Sequence, residues 1–286
     1  MINLFLKFKS KKFNSKNISL KDIAHSNKIL FSIFTRYGDT LIDLIIIKEF
    51  ISKYPNKEYL IMTPPQMEPF VKYFLPNISS YSINKRNPWK MFRVNKILKN
   101  WAPDLAFNPW SNGLDSCYFL SYAKKYFCYR DFFFNLPINH YDVVRKYLQL
   151  PFQESKSHFS RPKNLYKHVL ICPDSTDKER SIRDDELISI IEKIYKKFNP
   201  SITIASMNKK GIRGYNFLNI FKFQKTQQSS ADFLKVMINS DLIISADSAP
   251  LHLALALKKD TCALFKTTKR DLVVNNNSFL IRYDEI

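Results

Sequence analysis

The chain has 286 residues, 45% hydrophobic and 24% charged, with a formal net charge of +20 and only four glycines. That length exceeds what one hydrophobic core organises, so two domains are expected, and the composition excludes a disordered or fibrous chain. The positive charge bears on partners rather than fold, and suits nucleic acid, an anionic membrane surface or an anionic small substrate. Part of it is segregated: residues 1–28 carry Lys7, Lys9, Lys11, Lys12, Lys16, Lys21 and Lys28 against one acid, Asp22. The apolar start MINLFL is too short for a secretory leader and no small-residue cleavage site follows, so this stretch is read as a basic tail able to grip anionic lipid. No window reaches membrane-spanning length; the longest candidate, LIDLIII, contains Asp43. Cys117, Cys128, Cys172 and Cys262 lie far apart with no metal-ligand spacing. Reduced thiols of a cytoplasmic protein are expected, with neither structural zinc nor a disulfide framework.

KILFSIF (28–34) has the character of a short buried strand. It breaks at Arg36-Tyr37-Gly38-Asp39, and TLIDLIIIKEFISKY follows with helical apolar spacing. Strands are expected at 59–62, at SYSI (80–83) and at 103–107, with helices over QMEPFVKYFL and over the basic stretch 90–100. Residues 111–150 are rich in aromatics and give no clear element. PFQESKSHFSRPKN (151–164) has no periodicity and two prolines, which marks a linker. Alternation then restarts. HVLICP (168–173) is a strand, DSTDKERSIRDDE a polar loop and LISIIEKIYKKF a helix; SITIAS (201–206) is a strand, followed by a loop with Gly211 and Gly214. SSADFLKVMINS is a helix with a Ser/Asp start, DLIISA a strand, SAPLHLALALK a helix and TCALF (261–265) the last strand. Strand–helix alternation on both sides of the linker predicts two α/β units with parallel sheets, here 1–155 and 156–286, and ligands at the carboxyl ends of the strands.

One stretch stands out. In ISADSAPLHLALAL a strand ends at Asp247-Ser248 and a helix begins, with Pro250 in its first turn and His252 just behind. Ser248 suits an N-cap and Pro250 a first helical turn. The amides of such a turn attract an anion, and a diphosphate there would meet N–H groups, a hydroxyl and an imidazole. Asp247 is better suited to orienting these groups, or to bonding a sugar hydroxyl, than to touching phosphate. The plainer alternative makes Asp-Ser a cap and His252 a core histidine.

ISADSAPLHLALALKKDTCALF resembles the C-terminal signature of glycosyltransferase family 9, the ADP-heptose:lipopolysaccharide heptosyltransferases, at Asp247, Ser248, His252 and Ala254. Ala249 stands where that signature has glycine. KILFSIFTRYGDTLIDL resembles the family's N-terminal strand–Arg-x-Gly-Asp–helix, and LICPDSTDKERSIRDDELISII its phosphate loop. The resemblance implies a GT-B fold, two Rossmann-like domains facing a central cleft, with an acceptor-side N-terminal domain and a nucleotide-sugar-binding C-terminal one. It implies Asp39 as general base. Ser175, Thr176, Lys178, Arg180, Asp247, Ser248, Ala249 and His252 become donor-binding residues. The reaction it implies is an inverting transfer of heptose or a related sugar from an ADP-linked donor, with no metal or other cofactor.

The acceptor implied is an anionic, lipid-linked envelope glycan such as a lipopolysaccharide core, reached at the cytoplasmic face of the inner membrane. That gives the basic residues a use: Arg36, Lys85, Arg86, Lys90 and Arg93 are acceptor-side candidates, and Lys96 and Lys99 continue the run. Residues 86, 90, 93 and 96 share one helical face. Two departures are visible: the chain is short after Leu264-Phe265, and SMNKKGIRG lacks the acid that family members use on the donor ribose. They keep open a catalytically degenerate relative acting as a glycan- or nucleotide-sugar-binding scaffold. A nucleic-acid-binding protein is the remote alternative, with no recognised module to support it.

Overall fold

The computed structural model describes residues 18–84, 87–108, 118–128, 139–152, 158–207, 218–274 and 279–286. The chain divides into two compact units, Met1–Phe152 and Gln153–Ile286; the boundary read from the sequence stands between 155 and 156.

In unit 1 a short helix, α1 (Leu20–His25), leads into β1 (Lys28–Ser32), α2 (Tyr37–Lys53), β2 (Glu58–Thr63), α3 (Glu68–Phe74), β3 (Ser79–Ser82), α4 (Pro88–Trp101), β4 (Leu105–Asn108), β5 (Lys125–Cys128) and α5 (His140–Tyr147). The five strands form one parallel sheet in the order β3-β2-β1-β4-β5. β1 is central and apolar on both faces, as a parallel strand covered by helices must be. Phe31 stacks on Phe107 at 5.7 Å and meets Phe50 of α2 edge-on at 5.7 Å. Leu30, Leu60, Met62, Val94, Leu98 and Phe119 are among the residues of the core on the α4 side.

Helix α2 is buried almost all round, with Leu41, Ile42, Leu44, Ile46, Ile47 and Phe50 covered together with Thr40 and Asp43. That explains why LIDLIII is apolar on nearly every side of the helix. Arg145 of α5 fastens this helix. Its guanidinium is fully buried and grips Glu49 of α2 through Nε at 3.0 Å and Nη2 at 2.8 Å, and Asp142 through Nη1 at 3.0 Å.

Unit 2 repeats the plan: β7 (His168–Cys172), α6 (Asp184–Phe198), β8 (Ser201–Ser206), β9 (Leu218–Lys222), α7 (Gln227–Asn239), β10 (Leu242–Ala246), α8 (Ala249–Ala256) and β11 (Asp260–Leu264). The parallel sheet runs β11-β10-β7-β8-β9. In both sheets the first strand is central and the order reverses between the first and fourth strands of the unit. Ligands in open sheets of this kind bind at that reversal, outside the carboxyl ends of the strands. The α/β fold with two Rossmann-like parallel sheets is therefore the one expected.

Several elements differ from expectation. The linker is partly structured, because β6 (His158–Phe159) pairs in parallel with β12 (Phe279–Leu280). TCALF is not the last strand: α9 (Arg270–Val273) and β12 follow it. β9 and β5 also went unpredicted. α7 starts at Gln227, capped by Thr226, whose hydroxyl accepts from the Ser229 amide at 3.2 Å, so the expected Ser/Asp start lies inside the helix. The Gly211 and Gly214 loop and most of the aromatic segment 111–134 fall outside the described residues, as do the lysines at 7–16.

Candidate active site

The carboxyl ends of β7 and β10 lie side by side, and the loop after β7 closes onto the residue that ends β10. Ser175 Oγ donates to the Asp247 carbonyl at 3.2 Å. Arg180 Nη1 donates to Asp247 Oδ2 at 3.1 Å. Asp247 is 2% exposed, and Arg180 27%, so the arginine covers a carboxylate that has almost no water of its own. Removing one partner of such a pair leaves a buried charge uncompensated, at a cost of up to ~3–5 kcal/mol when the pair is fully buried and less here.

The loop is built to hold Arg180 in place. Lys178–Arg180 forms a 3-10 turn begun by Asp177, whose carboxylate accepts from the Glu179 amide at 3.1 Å. Asp177 Oδ2 also lies 3.5 Å from Arg180 Nε, which makes no hydrogen bond among the described residues. The Ser175 amide donates to Ser181 Oγ at 2.9 Å, drawing the loop into a closed turn. Thr176 and Lys178 are exposed.

The start of α8 is less generous than the sequence implied. Ser248 occupies the N-cap position in an extended conformation but makes no side-chain cap; its hydroxyl turns back to the Ala246 carbonyl at 3.4 Å. Pro250 has no amide hydrogen, and the Leu251 amide is spent on the Ser248 carbonyl at 3.0 Å. An anion here would therefore rely first on Ala249. His252 is 6% exposed, a buried residue of the first half of α8.

In unit 1, α2 begins one residue after Arg36, which is exposed at the N-cap position without a side-chain cap. Gly38 and Asp39 are the second and third helical residues, so Gly38 is part of the helix rather than of a tight turn, and Asp39 is not the N-cap. Asp39 is half-buried and its Oδ2 accepts from Thr35 Oγ1 at 3.2 Å. A carboxylate in the first helical turn is favoured by the helix dipole. One turn on, Asp43 is fully buried with neither carboxyl oxygen hydrogen-bonded among the described residues. Burial, with the Asp39 charge adding to it, pushes its carboxyl well above the usual range. Lys90, Arg93, Lys96 and Lys99 are exposed on α4, while Lys85 and Arg86 lie outside the described residues.

Three contributors were not singled out from sequence. Asp174, at the end of β7, accepts from Ser206 Oγ at 2.6 Å and the Met207 amide at 2.7 Å, tying that loop to the end of β8. Ser181 closes the phosphate-type loop. Lys266, just beyond β11, donates to the Ser181 carbonyl at 2.7 Å and to Glu186 at 2.5 Å, which holds the Glu186 carboxyl below its ordinary range. The signal available was position: a lysine two residues past a strand's carboxyl end. Among the described residues no group of three His, Cys, Asp or Glu side chains is placed to hold a metal ion, and no helix is long and apolar enough to cross a membrane.

The model of the family described as Glycosyltransferase family 9 (heptosyltransferase) matches residues 228–276, which span α7 to beyond α9 and contain Asp247 to His252. No curated protein matches the chain significantly. Among solved structures, Escherichia coli ADP-heptose lipopolysaccharide heptosyltransferase II superposes with TM-score 0.67 at 12% identity, covering 89% of this chain and 90% of that one. E. coli heptosyltransferase WaaC with ADP gives 0.63 at 11%, covering 90% and 94%. A glycosyl transferase family 9 protein from Veillonella parvula gives 0.67 at 14%, covering 94% and 88%. At such identities the likeness establishes the fold, which is GT-B. The fold is the one that these glycosyltransferases share. Within that class, the chain's resemblance to glycosyltransferase family 9 (heptosyltransferase) is shown over residues 228–276.

Proposed function

We propose that the protein transfers heptose or a related sugar, with inversion, from an ADP-linked donor to a lipopolysaccharide core or another lipid-linked envelope glycan. The observation that carries this is the contact of Arg180 and Ser175 with Asp247. Two segments that resemble the family's donor motifs, far apart in sequence, converge at the point of strand-order reversal where a nucleotide is expected. The neighbouring structures with ADP and for ADP-heptose support the choice of donor.

In this reading the donor diphosphate lies against the Arg180 guanidinium, the Ser175 and Thr176 hydroxyls, Lys178 and the Ala249 amide. Asp247 orients Arg180, Ser248 shapes the turn and His252 supports it from within α8. Asp39 takes the acceptor hydroxyl's proton as its oxygen attacks the anomeric carbon. The bond from that carbon to the diphosphate oxygen breaks, and ADP leaves with the electron pair. Donors set in place beforehand stabilise that growing charge without reorganisation, and no step is assigned to a metal. Arg36, Lys90 and Arg93, together with Lys85 and Arg86 from outside the described residues, are the candidates to meet the acceptor's phosphates, at the cytoplasmic face of the inner membrane.

The test is Asp39→Asn with ADP-heptose and an inner-core lipopolysaccharide acceptor. Losing a general base lowers turnover by ~10²–10⁴, while calorimetry should find donor affinity unchanged within about twofold. Undiminished turnover would remove Asp39 from the chemistry, and donor binding without product in the wild type would favour the scaffold alternative.

A further inference from the structure

Helix α4 has an outer face that the fold does not explain. Its inner side is accounted for: Val94 and Leu98 are buried in the core with Leu30, Leu60 and Met62. On the other side Trp89 is 83% exposed and Phe92 70% exposed. At 100° per residue, Trp89, Phe92, Arg93, Lys96, Lys99 and Asn100 fall within an arc of about 120° opposite Val94 and Leu98. The helix PWKMFRVNKILKNW contains four cations and no acid. Two large aromatic rings thus project from a cationic outer surface.

We propose that this face of α4 docks on a bilayer rich in anionic phospholipid, with Trp89 and Phe92 entering the headgroup region and Arg93, Lys96 and Lys99 meeting lipid phosphates. Several observations favour lipid over a protein partner. Protein interfaces are depleted in lysine, yet lysine surrounds these rings. Trp is the residue preferred where one end is apolar and the other wet, and basic amphipathic helices with Trp or Phe bind anionic interfaces. Topology adds a use. β1 and β3 run parallel, so α2 and α4 both start at the carboxyl edge of the same sheet. A unit docked through the first turns of α4 would bring the Asp39 edge towards the lipid surface where a lipid-linked acceptor resides.

This deepens the acceptor side of the proposed function, but its test needs neither donor nor acceptor, so the two readings fail separately. Sedimentation with large unilamellar vesicles of phosphatidylcholine alone and of phosphatidylcholine:phosphatidylglycerol 3:1 measures partitioning for wild type, W89A/F92A and R93Q/K96Q. All three should melt at the same temperature, because the replaced side chains are exposed. Wild type should bind only the anionic vesicles, with W89A/F92A weaker by at least ~10-fold and R93Q/K96Q by about 30-fold. Brominated acyl chains should quench part of the wild-type tryptophan fluorescence, and Trp89→Phe should abolish that part while still binding. No binding by wild type, or equal partitioning of wild type and W89A/F92A, overturns the proposal. So does a defect of W89A/F92A confined to a single-stranded oligonucleotide or to self-association.

Discussion

Asp43 is a carboxylic acid sealed inside helix α2 without a hydrogen-bond partner among the described residues. Its folded-state pKa is raised by burial, and by Asp39 one turn away. Among the described residues no other group acts on it comparably: on the helices packed against α2, Arg145 of α5 pairs with Glu49 and Asp142, and Glu68 of α3 with Lys72. The sign follows from linkage. In the unfolded chain Asp43 ionises above about pH 4, whereas the folded state keeps the proton. Stability is therefore complete below that pH and is lost as pH rises towards the folded pKa, by ~1.4 kcal/mol per unit. Asp43→Asn should flatten this loss: urea unfolding at pH 5 and 7.5 should show the wild type losing more stability than the variant. Identical losses would mean that Asp43 is ionised in the fold. The sequence showed an acid in LIDLIII but not its isolation, which depends on packing from outside the helix. Asp247 is the converse case. Its motif was plain, while its partner Arg180 arrives from a loop 67 residues away.

At the scale of elements, what was legible followed burial. β1, β7, β10 and α6 carry continuous apolar runs or a clean helical stripe, and each was found within a few residues. β9 was missed because LNIFK, at the sheet's edge, is mostly exposed and offers no buried stripe. β5 was hidden in an aromatic segment without alternation, and β6 and β12 are two residues each, held by pairing rather than by any pattern of their own. The α5 clamp was invisible because an isolated arginine has the appearance of surface charge. Arg145→Met removes the guanidinium from the Glu49 and Asp142 carboxylates, at a cost of about 3 kcal/mol. Thermal unfolding of unit 1 should fall by several degrees, with Arg145→Lys only partly restoring it, since an ammonium cannot reproduce the bidentate fork. An unchanged melting temperature for Arg145→Met would show that α5 does not hold α2.

For the whole molecule, the duplicated 3-2-1-4-5 strand order puts one reversal point in each unit. Unit 2 uses its reversal for the Arg180–Asp247 cluster, and unit 1 presents Asp39 at the carboxyl edge of its sheet. The net charge of +20 fits an anionic diphosphate at the unit 2 site and an anionic surface against α4 of unit 1. Charge alone left nucleic acid open, and only the placement of cations on elements divides them between these uses. The central claim is that unit 2 binds a nucleoside diphosphate through Arg180, and calorimetric titration of ADP into wild type and Arg180→Met tests it most directly. A charge-assisted contact to phosphate contributes about 1.5–3 kcal/mol, so the account predicts saturable ADP binding in the wild type, weakened ~10–100-fold in the variant. No ADP binding by the wild type, or equal affinity in both proteins, would contradict it.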